Sequence, residues 1–180
     1  MVLLCKNETG YRNLSYMVSQ AYIEGFYIKP RIDLDLLREH SEGLIGLSAC
    51  LAGEIPRRII NGDYDGAKAY ALELRSILGE DNFYLELQDH GIADQTTVNR
   101  ALLRMHNETG IPLVCTNDAH YLRKEDAESH DVLLCIQTGK TVDDENRMRY
   151  EPQNFYLRST EEMEALFSGY PDAVENTQRI

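Results

Sequence analysis

Three short segments carry the side chains in this sequence best suited to holding an ion: Ala49-Cys50, Gln88-Asp89-His90 and Asn117-Asp118-Ala119-His120. In Asp118-x-His120 an extended backbone points alternate side chains the same way, so a carboxylate and an imidazole can converge on one cation. Thiolate, imidazole and carboxylate together suit zinc or a neighbouring transition metal better than magnesium or calcium. Three such donors (Cys50, Asp118 and His120) would support one open catalytic ion, but not a cluster of two or three. Each also has a plainer reading. Cys50 could be a small buried hydrophobe, His90 before Gly91 could close a loop, and an isolated Asp-x-His is a weak signal. His40, His106 and His130 fall on helical or surface-like segments and are assigned no chemistry. Cys5, Cys115 and Cys135 lie inside apolar runs, where core packing is the default. The chain has no G-x-x-x-x-G-K-[ST] loop, G-x-G-x-x-G turn, H-E-x-x-H helix or G-x-S-x-G elbow, so phosphate cradles and serine nucleophiles have no support.

The elements that must position these residues alternate between strand-like runs and helical stripes. Val2 to Cys5 is a short apolar run, and Leu14, Met17, Val18, Ala21 and Tyr22 follow the spacing of an amphipathic helix. Gly25 ends that helix and Lys29-Pro30 forbids its continuation. Asp33 caps a short helix to His40, and Leu44 to Ser48 is a buried strand leading to Cys50. Ala67, Tyr70, Ala71, Leu74, Ile77 and Leu78 form the clearest helical stripe, stopped by Gly79 before the strand Phe83 to Leu87. Val98, Ala101, Leu102 and Met105 line the next helix, closed by Gly110, and Pro112 to Thr116 is another strand. A helix over about 125–137, a polar loop 138–154, a short strand Phe155 to Leu157, a capping box at Ser159 and Glu162, and a final helix from Asp172 complete the chain. Fully apolar strands alternating with helices predict an α/β protein, its parallel sheet covered by outer helices. A barrel and an open doubly wound sheet fit this periodicity equally well. In both, chemistry gathers at the carboxyl ends of the strands, where Cys50, His90, Asp118 and His120 fall. The abrupt start at Met1 and the helix running out at Ile180 suggest a piece of a longer polypeptide.

Composition narrows the function classes. The chain of 180 residues is 43% hydrophobic and 27% charged, enough for one domain with a core of its own. No stretch approaches the roughly 18 consecutive apolar residues of a membrane span, so no membrane partner is expected. The four cysteines are widely spaced, with no C-x-x-C, and read as reduced thiols of a cytoplasmic protein. Eighteen basic residues against 30 acidic ones leave a net charge of −12, with the basic residues scattered. Strong phosphate-backbone binding by this chain alone is therefore not expected.

Longer runs carry a family resemblance. Lys6 to Leu14, Glu42 to Glu54, Phe83 to Gly91, Thr116 to Tyr121, His130 to Gly139 and Pro171 to Thr177 resemble, in order, segments of bacterial DNA polymerase III alpha subunits. They fall in the polymerase and histidinol phosphatase (PHP) domain. The resemblance implies a distorted seven-stranded, TIM-like β/α barrel with Zn2+ or Mn2+ at its carboxyl-terminal face. Residues 1–160 would be the C-terminal part of that barrel, and 161–180 the start of the connection to the polymerase palm. Cys50 matches the family's cysteine ligand, and Asp118 and His120 its last Asp-x-His pair. His90 matches no ligand but lies close to them. The departure is at the start, where the family has a His-x-His strand and further His, Asp and Glu ligands that this chain lacks. The site is thus expected to be incomplete here and the chain alone inactive.

The function implied is part of a DNA-directed DNA polymerase, its PHP domain in the intact subunit a metal-dependent 3′–5′ proofreading exonuclease. The implied partners are the remaining subunit domains and primer-template DNA. The alternative is architectural: a scaffold that braces the palm and thumb or docks a proofreading subunit, with Leu157 to Ile180 in the contact. A free-standing phosphoesterase of the histidinol-phosphatase type fits less well, because polymerase-like segments occur at both ends. The truncated barrel could also self-associate across its open face.

Overall fold

Asn7 starts the first helix by accepting a 3.0 Å hydrogen bond from the Gly10 N–H, and Asp33, Asp63 and Ser159 cap later helices in the same way. A computed structural model describes residues 1–180. Its elements in chain order are β1 (Val2–Cys5), α1 (Glu8–Ile23), α2 (Leu34–Glu39), β2 (Leu44–Leu47), α3 (Glu54–Ile60), α4 (Tyr64–Leu78), β3 (Phe83–Leu87), α5 (Ala93–Thr109), β4 (Leu113–Cys115), α6 (Ala127–Thr138), α7 (Thr160–Leu166) and α8 (Pro171–Arg179). No helix is long and apolar enough to cross a membrane.

The strands form one mixed sheet in the order β1-β2-β3-β4. Strands β2, β3 and β4 are parallel, as fully buried strands joined by helices should be. The exception is β1, which runs antiparallel to β2 with Cys5 opposite Leu44, so the expectation of an all-parallel sheet is corrected. The chain makes two helical passes, α1 and α2, between these strands. The second pass returns it to the end where β1 finished, and Lys6 N–H bonds Gly43 O there at 2.8 Å. As the edge strand, β1 leaves Cys5 exposed, against the expectation that its apolar run packs inside.

Period-two alternation divides the sheet into two faces. Leu44, Phe83, Leu85, Leu87, Leu113 and Cys115 point into the main core with Ala67, Ala71 and Leu74 of α4 and Val98, Leu102 and Met105 of α5. Burying each large apolar side chain there contributes about 1.5–3 kcal/mol. The opposite face carries a smaller cluster of Ile45, Leu47, Tyr84 and Val114, with Ile180 against it. Helix α8 lies on β4, where Asn176 Nδ2 donates to Leu113 O at 2.7 Å. The segment Phe155 to Leu157 makes one parallel bridge, Tyr121 with Tyr156, rather than a full strand. Helix α3 falls in a stretch, 51–63, to which the sequence reading assigned no element; its 7 residues are too few to show a stripe.

Candidate functional site

The carboxyl ends of β2, β3 and β4 lie side by side, and each continues into one of the segments singled out from the sequence. After β2 the chain turns through Ser48-Ala49-Cys50, with Ala49 at φ 67°. A left-handed backbone costs a residue with a Cβ about 1–2 kcal/mol, so something must hold it. The holder is Glu86 on β3, whose Oε2 accepts the Ala49 N–H at 2.8 Å, while the Glu86 N–H donates to Ser48 Oγ at 2.8 Å. Glu86 is buried on the face opposite the main core. Its Oε1 accepts from Gln88 Nε2 at 3.1 Å and from the Thr116 hydroxyl at the end of β4. Cys50 itself is half-buried and carries a free thiol.

After β4, Asn117 is gripped from three sides. Its Nδ2 donates to Tyr156 O at 2.8 Å, its Oδ1 accepts from Arg158 Nη1 at 3.1 Å, and its carbonyl accepts from His90 Nε2 at 2.5 Å. Asp118 follows at φ 42°, and the His120 N–H donates to Phe155 O at 2.7 Å. Asp118 Oδ1 and His120 Nε2 stand 3.5 Å apart, each side chain about one-third exposed, so the two converge, but through the left-handed turn at Asp118 rather than the extended backbone expected. Two ligands at 2.0–2.2 Å from a tetrahedral zinc ion are themselves about 3.4 Å apart, so this pair fits a shared ion. Cys50 follows β2, with β3 between it and β4, and no three His, Cys, Asp or Glu side chains come together as a ready metal-binding group. The structure thus brings together two of the three residues expected to bind, with the third separate.

His90 is fully buried, stacked on Phe155 with ring centroids 4.3 Å apart. Both ring nitrogens are engaged. The His90 N–H donates to Gln95 Oε1 at 2.8 Å, which turns the Gln95 amide nitrogen toward His90 Nδ1 at 2.9 Å. Nδ1 therefore accepts, and Nε2 carries the proton given to Asn117 O. His90 supports the Asp118 loop and has no lone pair free for an ion.

His130, set aside in the sequence reading, stands beside His120 with ring centroids 5.9 Å apart, and Tyr150 packs on both rings at 4.5 and 5.1 Å. Burial, then the neighbouring His120, holds the His130 imidazole below its ordinary pKa, with Asp131 opposing. Asp131 is fastened to Arg147 by a two-pronged ion pair at 2.5 and 2.6 Å, which fixes the 139–154 loop over α6 and depresses the Asp131 carboxyl. His106 is structural, its Nδ1 donating to Ile111 O at 2.7 Å. Sequence reasoning missed Glu86, assigned His130 no chemistry, and named Gln88 only as part of a segment that could hold an ion. A carboxylate inside the otherwise apolar Phe83 to Leu87 run was the available signal for the first.

An α/β sheet with candidate metal ligands at its carboxyl ends defines the class, and residues 1–90 match the PHP domain family model: the chain belongs to the PHP domain family. Over its full length it is 48% identical to the DNA polymerase III subunit alpha of Treponema pallidum and 49% identical to that of Borreliella burgdorferi. Over 92% of its length it is 49% identical to the same subunit of Thermus aquaticus. The chain spans 15%, 16% and 14% of these three relatives, respectively.

Proposed function

We propose that this chain is a segment of a replicative DNA polymerase III alpha subunit, a cytoplasmic DNA-directed DNA polymerase, and that its PHP domain hydrolyses phosphodiesters at a primer 3′ end. In this reading β1–β4 form one side of a seven-stranded barrel. Residues 1–160 belong to the barrel and 161–180 begin the connection to the polymerase palm. The observation that carries the hydrolytic part is the 3.5 Å approach of Asp118 Oδ1 to His120 Nε2 at the carboxyl end of β4. Asp118 and His120 would hold Zn2+ or Mn2+, with Cys50 joining from the end of β2 and the remaining ligands supplied by the intact subunit. A bound ion there would polarise a phosphoryl oxygen and lower the pKa of a water. The chain's own contribution is positional. His90, through Asn117, sets the backbone from which Asp118 projects, and Tyr150 and Phe155 pack against the His120 ring. Basic DNA-binding surface would come from neighbouring domains, since this chain carries a net charge of −12.

The test is Asp118→Ala in the complete subunit, which should lose metal-dependent exonuclease activity while keeping its fold. Elemental mass spectrometry on the same pair should show bound zinc or manganese falling in the variant. Full nuclease activity in Asp118→Ala would overturn the assignment.

A second reading, that the domain braces the polymerase or docks a proofreading subunit, is favoured by one observation. The end of α1 and the loop after it expose Tyr22, Ile23, Phe26, Tyr27 and Ile28 together, the last at 79% of its surface. An apolar run of this kind at a surface is the mark of a face that another domain, or a second copy of the chain, covers. A subunit that loses polymerase activity on metal removal but never shows nuclease activity would decide for this architectural role.

A further inference from the structure

We propose that Glu86 is a positioning residue for the candidate site: a buried clamp that ties the turn before Cys50 to the strand end before Asp118. The inference rests on the reading that Cys50 and Asp118 belong to one site. Every neighbour of the Glu86 carboxylate is a donor: Ala49 N–H at 2.8 Å, Gln88 Nε2 at 3.1 Å and the Thr116 hydroxyl. No Lys or Arg is paired with it. A buried carboxylate is costly to place in a sheet, and an apolar residue would serve β3 better if packing were the only requirement. What the carboxylate does instead is hold Ala49 in its left-handed conformation, one residue before Cys50, and hold Thr116, two residues before Asp118. Gln88 reinforces the bridge by also donating to Thr116 Oγ1 at 3.1 Å. Its own Oε1 is buried without a donor, so its amide is committed to the clamp at a cost. Through one side chain, the ends of three adjacent strands acquire a fixed spacing.

A clamp of this kind predicts coupling across strands, which a residue that merely fills the core would not produce. The experiment follows alkylation of the complete, metal-stripped subunit by peptide mass spectrometry, comparing Cys50 with the buried Cys115. Glu86→Gln replaces one carboxylate oxygen by an amide nitrogen that cannot accept, so at least one of the groups that donate to Glu86 loses its acceptor. The Cys50 rate should rise about tenfold relative to Cys115. Thr116→Val, on a different strand from Cys50, should raise the same ratio, and Thr116→Ser should restore it. The Thr116 pair decides the matter if Glu86→Gln does not fold. An unchanged Cys50 to Cys115 ratio in the folded variants would overturn the proposal, as would equal acceleration of both cysteines. Because the readout uses no metal, it is separate from whether Asp118 and His120 take an ion. Zinc titration of the unmodified protein tests that reading on its own.

Discussion

His90 Nε2 donates a 2.5 Å hydrogen bond to the carbonyl of Asn117, so an imidazole with no exposed surface holds the residue that precedes Asp118. The bond works because its other partners leave the ring no choice. The Gln95 side chain takes the His90 N–H and gives its amide hydrogen to Nδ1, which fixes where the remaining proton points. A helix, α5, thereby reaches through one histidine to the loop after β4.

His90→Phe tests that relationship. The ring would keep its stacking on Phe155, but Gln95 Nε2 and Asn117 O would lose their partners in a buried environment. The expected loss is about 2–4 kcal/mol of unfolding free energy, read by urea denaturation. Amide exchange should quicken across 117–121 before the rest of the sheet. A stability change below about 0.5 kcal/mol would show that the histidine contributes only packing.

Cysteine reactivity should follow position rather than sequence context. Cys5 lies exposed on the edge strand, Cys50 is half-buried, and Cys115 and Cys135 are buried. Burial pushes the Cys115 thiol up to about 12, so almost no thiolate exists there at neutral pH. Native-state alkylation at pH 8 should label Cys5 first, Cys50 more slowly, and the other two only on unfolding. Rapid labelling of Cys115 would mean that β4 opens locally.

What the sequence revealed about this site follows from the range over which each signal acts. Asp118 and His120 were legible because they stand only two residues apart, although a left-handed turn at Asp118, not the extended backbone expected, brings them together. The helices α1, α4 and α5 were legible because their apolar stripes are long. The direction of β1 was not, since it depends on how many times the chain crosses between β1 and β2. Nor was its place at the sheet edge, which leaves Cys5 exposed. His130 was invisible for a related reason: it meets His120 through the packing of α6 and the 139–154 loop, which no local pattern encodes. Glu86 lies between these cases, visible as a charge in an apolar strand but without its partners Ala49 and Thr116.

Acid should weaken the α4–α5 contact. Glu108 accepts from Lys68, Arg104 and the Tyr64 hydroxyl, which together hold its carboxyl down from 4.5 to about 2. A carboxyl depressed by folding adds stability above its unfolded pKa, and that stability fades as pH falls from about 4.5 toward 2. Because the side chain is partly exposed, salt should shrink the effect. Melting temperatures of the wild type and Glu108→Gln should therefore differ at neutral pH and converge on acidification. Asp131 and Glu162 are depressed as well, so an acid-limb slope shared by both proteins is expected on top of this difference. A constant gap across the range would place the contribution of Glu108 outside its charge.

The contact between Gly10 and Gly43 sets local propensity against packing. Gly10 is the third residue of α1, and by propensity alone alanine there should stabilise the helix by about 0.5–1 kcal/mol. A Cβ at Gly10, however, would lie 1.9 Å from Gly43 O, a backbone atom with no flexible end to swing aside. Gly43 has no freedom to yield, because it holds φ 75°, its carbonyl already accepts from Lys6 N–H, and β2 begins one residue later. Gly10→Ala should therefore destabilise the protein by about 1–3 kcal/mol despite the better helix former. Chemical denaturation of that single variant measures the balance. A gain in stability would mean that α1 can lift from the start of β2, and the close approach would then not be what aligns β1 against β2.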